Sequence, residues 1–398
     1  MADYRKRDGN VYQLNRRIND DIPDRSRLSL RNIINPHPFR GIDYTVLILV
    51  LILVMFGLVM VFSSSYYYAM TDSRFNDKFY FFSRQFRWAI VGIVAMVMCM
   101  SINTEFFRRI SVLAYGGIIL ILMAVLVIGV ATKGSQRWLE VLGTSFQPSE
   151  FAKFIIIIFM SGFVIKHRQW LNGNFMMFIK CALPVIIAAG LIASENLSTG
   201  IVVMAVGLMI MFVASNKVMN FVVFGMLGFL GFVVLVVIEP YRMARIKGWL
   251  DPWSDLIGNG YQIVQSLYAV ASGGLFGLGI GQSRQKTFIP ESYNDIIFSI
   301  ICEELGLVGA IVVILLFLIL IWRGIKIAMT AKDKYSSYAA TGIVTMIAVQ
   351  VIINIAVVTN TMPNTGMPMP FISYGGTSLV VTMASMGLLL NISRDCSR

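Results

Sequence analysis

Long apolar runs alternate with short polar segments along this 398-residue chain. A helix needs roughly 20 apolar residues to cross about 30 Å of hydrocarbon, and ten runs approach or reach that length. These runs predict ten transmembrane helices, because a segment in lipid must satisfy its own backbone hydrogen bonds. The predicted spans are residues 42–62, 88–102, 111–131, 148–165, 179–195, 199–215, 219–239, 296–322, 338–360 and 371–391.

Composition leads to the same class of protein. The chain is 57% hydrophobic and 14% charged, with a mean hydropathy of +0.73, whereas an average soluble domain is about 25% charged. The predicted fold class is therefore an all-α polytopic membrane protein. We interpret residues 42–392 as a single membrane domain, since no convincing internal repeat divides them.

The longest interval between spans is residues 240–295, which separates predicted helices 7 and 8. Its middle, about residues 262–281, is apolar, rich in glycine and too short to cross a bilayer. Irregular backbone is tolerated at membrane depth only where it lines a cavity or is buried in protein. The interval is therefore predicted to be a large outer re-entrant loop that folds into a cavity.

Lysine and arginine are enriched in the cytoplasmic loops of membrane proteins. With the N-terminus inside, the cytoplasmic segments hold 20 of these residues and the outer loops hold 11, so both termini are predicted to be cytoplasmic. Residues 1–41 are a basic tail without a signal-peptide pattern, expected to be disordered and to lie on anionic lipid. A docking segment for a cytoplasmic partner is the alternative. Residues 393–398 are a short cytoplasmic tail.

Charged residues inside predicted spans are costly in lipid and suggest a functional site by default. Glu150 and Lys153 are three residues apart on one helical face, where they can form an ion pair. The pair either locks helix packing or forms a cavity wall that contacts a polar substrate, and the two roles are compatible. Glu303 and Glu304 lie inside the eighth span and are interpreted as hydrogen-bonding groups that support helix packing.

Asp295 follows a polar loop that contains Pro290 and stands at the outer end of the eighth predicted helix. A carboxylate in this place can simply complement the free amides and the dipole of the helix N-terminus. The alternative is a general base that is reached from the outer aqueous face and takes a proton from an attacking hydroxyl.

The outer loops carry more basic residues than the usual charge bias predicts. Guanidinium groups match phosphate oxygens with paired hydrogen bonds, so a lipid-linked pyrophosphate would explain them. The basic residues concerned are Arg137, Arg242, Arg245, Lys247, Arg284 and Lys286. The neighbouring tryptophans, which are either interface anchors or stacking surfaces for sugars, are Trp138, Trp249 and Trp253.

Other kinds of chemistry find little support in the sequence. The only histidines are His37 and His167, both on predicted cytoplasmic segments. The four cysteines show neither metal-ligand spacing nor a disulfide framework. No glycine loop of the phosphate-binding type is present, so the chain is not expected to bind ATP.

Four stretches resemble the SEDS family (shape, elongation, division and sporulation), whose members include FtsW, RodA and SpoVE. They are FQPSEFAK at 146–153, LDPWSD with GNGYQIVQSLYAVASGGLFGLGIGQSRQK over 250–286, IPESYNDIIFSIICEELGLVG at 289–309, and PMPFISYGGTSL at 368–379. The first stretch and the GQSRQK run are more similar to the FtsW and SpoVE branch than to the RodA branch.

The resemblance implies an inverting peptidoglycan polymerase that joins lipid II into glycan strands at the outer face of the bacterial cytoplasmic membrane, in cell division if the branch is right. The essential loop aspartate of the family falls on Asp295, which would be the general base for the acceptor 4-hydroxyl. The family's Glu-Lys pair falls on Glu150 and Lys153, and its Arg-Trp pair falls on Arg137 and Trp138.

The remaining expectations concern substrate and partners. Undecaprenyl pyrophosphate would be the leaving group, held with or without Mg²⁺ or Mn²⁺. The candidate substrate-binding residues are Arg137, Trp138, Glu150, Lys153, Arg245, Arg284, Lys286, Glu291, Ser373 and Tyr374. The expected partners are lipid II, membrane lipid, a class B penicillin-binding protein and associated divisome or elongasome proteins, and no nucleic acid.

Two other functions compete with the polymerase. A lipid II flippase would prefer charges near the membrane midplane, as Glu150 and Lys153 could be. A non-catalytic scaffold for a penicillin-binding protein is the third possibility. A polymerase needs its acid–base group at the outer face, which is where Asp295 is predicted to lie.

Overall fold

The computed structural model describes residues 38–396 except 73–76, 129, 133–134, 142–143, 239, 257 and 259. In chain order its helices are α1 (Tyr44–Thr71), α2 (Tyr80–Ser101), α3 (Thr104–Ile128), α4 (Pro148–Lys166), α5 (Arg168–Leu171), α6 (Phe175–Glu195), α7 (Leu197–Ala214), α8 (Val218–Ile238), α9 (Pro240–Leu250), α10 (Tyr261–Ser272), α11 (Ile297–Thr330), α12 (Lys334–Val358) and α13 (Gly376–Arg394). A 3₁₀ turn covers Gln285–Thr287. The tail predicted over residues 1–41 lies outside the described residues up to position 37.

Ten of these helices are long and apolar enough to cross a membrane, namely all except α5, α9 and α10. The prediction of a multi-pass helical membrane protein with ten spans is confirmed. Among the starts of the spans, the largest difference from the predicted bounds is at α2, which begins at Tyr80 rather than near residue 88. The polar stretch before residue 88 stays helical because Phe81 and Gln85 are buried against neighbouring segments.

A small antiparallel sheet follows α3, which the sequence did not predict. Its strands are β1 (Val130–Thr132), β2 (Ser135–Val141) and β3 (Thr144–Phe146), in the order β1-β2-β3. Val130 pairs with Trp138, and Leu139 pairs with Phe146. Arg137 and Trp138 therefore lie on the central strand, while their side chains lie outside the described part of the structure.

Glycines allow the inner helices to approach closely. A Cβ atom on Gly387 of α13 would collide with the carbonyl of Met96 in α2, and one on Gly57 of α1 would collide with the backbone of Phe371. Helices in lipid associate through such close packing rather than through a hydrophobic driving force. In contrast, α8 is almost entirely exposed along its length, so it lies at the periphery of the bundle.

The two ends of the bundle differ. At one end Arg323 of α11 donates to Asp43, with Nε 3.0 Å from Oδ2, and the Asp43 backbone N–H donates to Ser393 in α13. This end gathers the start of α1 and the ends of α11 and α13. The opposite end carries α9, α10, the described residues between α10 and α11, and the loop 359–375, and it contains Asp295.

Helix α11 is interrupted at Gly306, whose φ of 68° and ψ of −167° are not helical. The interruption exposes backbone groups that residues 274–279 satisfy. Leu278 and Gly279 donate N–H groups to the Glu303 and Glu304 carbonyls at 2.9 Å. In return, the N–H groups of Leu307 and Val308 donate to the carbonyls of residues 274 and 275 at 2.9 and 3.1 Å. A short backbone ladder thus attaches the 274–279 segment to the break.

Gly306 is nine residues beyond the start of α11, or about 14 Å along the helix axis at 1.5 Å per residue. The 274–279 segment therefore folds back beside the spanning helix rather than only above its end. It presents Leu275 and Phe276 outward, the latter 80% exposed. The depth of the segment in a bilayer, and hence a re-entrant loop, stays a prediction.

We expect Gly306→Ala to lower the Tm of the purified protein in detergent. A side chain at this φ and ψ is strained by about 1–3 kcal/mol, and its Cβ would also collide with the backbone of Leu275 and Gly277. Gly116→Ala in α3 is the matched control, since a Cβ there has nothing within 4 Å. Equal Tm values for the two variants would contradict the structural role of the break.

Candidate active site

Asp295 lies two residues before α11 and is partly exposed. Its backbone carbonyl accepts a hydrogen bond of 2.7 Å from the Asn354 side-chain amide, which also donates to the Met367 carbonyl at 2.8 Å. A Cβ atom on Gly366 would lie 3.5 Å from Asp295 Oδ2. Asn354 therefore fixes the main chain at Asp295 and brings the loop 359–375 against its carboxylate.

The loop 359–375 is held by the outer segments around it. Ser198, at the start of α7, donates to the Thr365 carbonyl at 2.8 Å. Arg245 of α9 donates through Nη1 to the Asn364 carbonyl at 3.1 Å, and Trp249 donates to the Asn360 carbonyl at 3.0 Å. These bonds connect α7, α9 and the segment that covers Asp295, and they bring a guanidinium group to this loop.

Aromatic side chains form the other side of this region. The Tyr374 N–H donates to the Tyr293 carbonyl at 2.9 Å, and the centroids of their rings are 5.5 Å apart. The Phe81 ring packs on both, with centroid distances of 4.3 Å to Tyr293 and 5.3 Å to Tyr374. Burial raises the pKa of the Tyr374 phenol, so the phenol stays protonated at neutral pH and can donate a hydrogen bond.

Ser373 has a structural environment. Its hydroxyl accepts from the Met369 N–H at 2.8 Å, and its carbonyl accepts from Gln85 at 3.2 Å. Gln85 also accepts from the Gly375 N–H at 3.2 Å. The hydroxyl and the buried glutamine together fix the start of α13. Binding of substrate by Ser373 stays a prediction.

Glu303 is fully buried and holds the turn that precedes the Asp295 loop. Its carboxylate accepts from the Ser283 hydroxyl, from the Arg284 N–H at 3.0 Å and from the Gln285 N–H at 3.3 Å. The carboxylate therefore fixes the backbone from which the exposed Arg284 side chain projects.

Glu304 is equally buried and faces a different set of donors. The Ser63 hydroxyl of α1 lies 2.7 Å from both of its oxygens, and Lys286 Nζ lies 3.4 Å from Oε1. Lys286 also donates to the Gly281 carbonyl at 2.6 Å and is itself buried. In this structure the Lys286 charge stabilises the loop, and its predicted contact with pyrophosphate stays a prediction.

Glu150 and Lys153 form an ion pair of 2.8 Å near the start of α4, with both side chains buried. The pair neutralises itself inside the bundle. A small, mostly apolar cavity lies beside this helix start, lined by Pro148 and Ser149 and by residues from α3, α6 and the α6–α7 junction. The expected pairing is therefore present, and contact with a polar substrate stays a prediction.

The structure brings Asp295, Arg245 and Tyr374 to one loop, 359–375, whereas Arg284 is positioned from the neighbouring turn. Glu291 begins the turn before Asp295, where its carbonyl accepts from the Asn294 N–H at 2.9 Å. Sequence reasoning missed Asn354 and Gln85, which position this loop. The signal was available, because uncharged polar residues inside apolar spans need buried hydrogen-bond partners.

Within the described residues, no group of three or more His, Cys, Asp or Glu side chains is arranged to hold a metal ion. Protein carboxylates therefore do not form a complete site for Mg²⁺ or Mn²⁺ there.

The fold and the site define a class: a ten-span membrane protein with a carboxylate at the mouth of the loops at one end of the bundle. The chain belongs to the family of FtsW, RodA and SpoVE, described as "Cell cycle protein", whose model matches residues 44–398. The resemblance predicted from four motifs is confirmed.

The alignments with individual relatives extend over nearly the full length of those proteins. "Stage V sporulation protein E" of Bacillus subtilis (strain 168) is 43% identical over 357 residues, which are 88% of this chain and 97% of that protein. "Probable peptidoglycan glycosyltransferase FtsW" of Geobacter sp. (strain M18) is 37% identical over 360 residues, covering 89% and 97%.

Solved structures share the fold. One, described as "Structural coordination of polymerization and crosslinking by a peptidoglycan synthase complex", matches with a TM-score of 0.73 and 25% identity over 90% of this chain and 100% of that one. The rod shape determining protein RodA of Thermus thermophilus matches with a TM-score of 0.65 and 24% identity, over 90% and 99%. The RodA match supports the fold alone.

We expect Glu304→Ala to lower the Tm in detergent much more than Asp295→Ala does. The first change leaves the buried Lys286 without its carboxylate, a loss that typically costs about 3–5 kcal/mol. The second removes a partly exposed group whose main chain is held by Asn354. Thermal unfolding of both variants tests this, and a more destabilised Asp295→Ala would reverse the two roles.

We expect Glu150 and Lys153 to be energetically coupled. Replacing either residue by alanine strands a buried charge, so each single variant should be less stable than the double variant. A double-mutant cycle on Tm measures the coupling. Glu105 and Arg109, an exposed pair four residues apart, are the control and should couple by only about 0.3–0.5 kcal/mol. Additive effects at the buried pair would show that it contributes no interaction.

Proposed function

We propose that this chain is a peptidoglycan glycosyltransferase that joins lipid II units into glycan strands, with Asp295 as its general base. One observation carries the proposal: a partly exposed carboxylate is fixed at the mouth of the outer loops in a chain that aligns with 97% of a protein named as a probable peptidoglycan glycosyltransferase. Membership of the same family supports the reaction class.

The reaction requires one proton transfer and one displacement. Asp295 takes the proton of the acceptor 4-hydroxyl as the oxygen attacks C1 of the donor sugar. The new O–C1 bond forms on the face opposite the breaking bond between C1 and the pyrophosphate oxygen, so the configuration at C1 inverts. Undecaprenyl pyrophosphate leaves with the bonding electron pair, and Asp295 later releases its proton to water.

The position of Asp295 suits a general base. A base must meet the hydroxyl within hydrogen-bond reach and exchange its proton with water afterwards. The hydrogen bond from Asn354 to the backbone carbonyl fixes the main chain of residue 295. Gly366 lies beside the carboxylate, and the lack of a side chain there leaves room for a sugar hydroxyl.

Pyrophosphate oxygens would be bound by guanidinium groups near this mouth. Arg245 donates through Nη1 to the Asn364 carbonyl, which places its guanidinium group at the loop beside Asp295. Arg284 is exposed on the turn that Glu303 holds. Arg137 remains a candidate through its position on β2. A divalent cation, if it takes part, would be bound mainly by the pyrophosphate itself.

We further propose the bacterial cytoplasmic membrane as the location, with both termini cytoplasmic. The excess of lysine and arginine at the end that gathers the termini supports this orientation. A class B penicillin-binding protein is the proposed partner, and the fold shared with a complex described as coordinating polymerization and crosslinking supports it. Associated divisome or elongasome proteins and lipid II complete the proposed partners.

The flippase alternative receives less support from the geometry. Its candidate charges, Glu150 and Lys153, are buried and neutralise each other at 2.8 Å. A headgroup would have to break that pair to bind there.

We expect Asp295→Asn to reduce polymerisation of purified lipid II by about 10²–10⁴-fold, as loss of a general base typically does. Expression, Tm and lipid II binding should stay close to wild type, because the amide preserves the shape. Asp333→Asn is the matched control, since it caps α12 at the opposite end and asparagine caps equally well. Near-normal strand synthesis by the Asp295→Asn variant would rule out Asp295 as the general base. If the variant still moves lipid II across vesicle membranes but no longer polymerises it, the flippase and polymerase activities are separable.

A further inference from the structure

We infer that the outer end of α2 forms a second site for the diphosphate of a lipid-linked saccharide, with Arg84 and Arg87 beside Tyr374. The inference rests on the proposed function. A reaction that joins two lipid-linked sugars brings two diphosphates to one base, and the arginines discussed so far, Arg245 and Arg284, reach Asp295 through other segments.

The contacts of α2 with its neighbours show on which side of the helix these two arginines lie. Phe81 packs on Tyr293, Gln85 bonds to the backbone at Ser373 and Gly375, and Trp88 packs so closely on Gly376 that a Cβ there would collide with its ring. These contacts define the face of α2 that meets the start of α13. Residues 84 and 87 are three apart and precede Gln85 and Trp88 by one position, so both lie to the same side of that face, with Arg84 nearer to it than the exposed Arg87.

Both charges also act on the Tyr374 phenol. The positive charges of Arg84 and Arg87 each lower the pKa of the Tyr374 phenol, against the larger upward effect of burial. Arg84 donates through Nη1 to the Tyr80 hydroxyl at 2.8 Å, and Arg87 donates through Nε to the Ser83 carbonyl at 3.3 Å.

These bonds leave most guanidinium N–H groups of both arginines for another acceptor. Among the described residues the ion pairs involve other cations, so the two charges are not neutralised by a described carboxylate. Two neighbouring cations without a carboxylate, next to a phenol that can donate, match the oxygens of a diphosphate.

The two arginine groups are connected to Asp295 through different segments. Tyr374 bonds to the Tyr293 carbonyl, and residue 293 is at most about 7 Å from residue 295 along the chain. Gly366 lies beside the Asp295 carboxylate, and Arg245 binds the carbonyl two residues earlier. Two separately held cationic groups suit a reaction whose donor and acceptor both carry a diphosphate.

The shared chemistry of phosphate leaves two sources for such a ligand, a lipid-linked saccharide and an anionic phospholipid headgroup. We choose the saccharide because Arg84 is half-buried with its guanidinium 5.8 Å from the centroid of the Tyr80 ring. The Tyr80 ring packs on Phe81, which in turn packs on Tyr293. Aromatic faces beside a diphosphate site suit the sugar attached to it.

Stoichiometry tests the inference directly. Full-length chain carrying Asp295→Asn holds its substrates without turnover, so native mass spectrometry should detect two bound lipid II molecules. Adding Arg84→Gln and Arg87→Gln should reduce this to one. Arg109→Gln, an exposed arginine at the opposite end of the bundle, is the matched control and should retain two.

Kinetics supply the second readout. With Asp295 intact in proteoliposomes, Arg84→Gln with Arg87→Gln should raise the apparent KM for lipid II about 10–100-fold and change kcat much less, as expected for lost binding of charged hydrogen-bond partners. Arg84→Lys with Arg87→Lys keeps the charge and should recover part of the affinity. This lysine variant also serves if the glutamine variant is unstable.

The outcomes separate the two proposals. Two lipid II molecules bound regardless of Arg84 and Arg87 would overturn the inference, and so would loss of bound phosphatidylglycerol with lipid II unchanged. If wild type polymerises lipid II normally and the arginine variants behave like Arg109→Gln, the second-site inference is wrong while the proposed function stands. If the arginines control binding but wild type does not polymerise lipid II, the proposed function fails alone.

Discussion

The outer half of this protein depends on the interruption of α11 at Gly306. In a continuous helix these backbone groups would bond within the helix. The 274–279 segment would then have no backbone partner there. The break instead provides two carbonyls and two N–H groups for a ladder, while the carboxylates of Glu303 and Glu304 reach the turn at residues 283–286. Irregular backbone can persist beside a spanning helix only when its polar groups are satisfied in this way.

The carboxylates in α11 and just before it therefore have different tasks at different heights. Glu303 and Glu304 lie deep in the bundle, where each accepts from several donors and fixes a loop. Asp295 lies at the mouth, where a neighbouring asparagine fixes its backbone. The loop that carries Arg284 is held by the first group, and the loop next to Asp295 is held by Asn354 and Gln85. The geometry of the proposed site thus comes from buried polar residues that do not touch the substrate.

Much of this was predictable from the sequence. Ten apolar runs predicted the spans, because crossing hydrocarbon imposes one length and one composition. The spacing of Glu150 and Lys153 predicted their pairing for a similar reason, since residues three apart share a helical face. The start of α2 was missed because its outer turns contain Ser83, Arg84 and Gln85, whose helical state depends on contacts with α13 that no local pattern reveals.

Other features could not be derived locally. The break at Gly306 needs a partner segment about 30 residues earlier, and glycine alone does not distinguish a break from a close helix contact. The ion pair between Lys286 and Glu304 could not be derived locally either. From the sequence alone, all the basic residues of this loop were interpreted as possible phosphate ligands. Only the fold shows which of these charges is already neutralised by a carboxylate.

The peripheral position of α8 has a consequence for how the membrane acts on this enzyme. A helix with few protein neighbours takes its tilt from the thickness of the bilayer, because hydrophobic mismatch is relieved by tilting. Helix α8 ends at Ile238, and α9 begins at Pro240. The side chains of Arg245 and Trp249 in α9 bind the loop beside Asp295. The thickness of the lipid layer is therefore mechanically connected to a cation at the loop beside the proposed base.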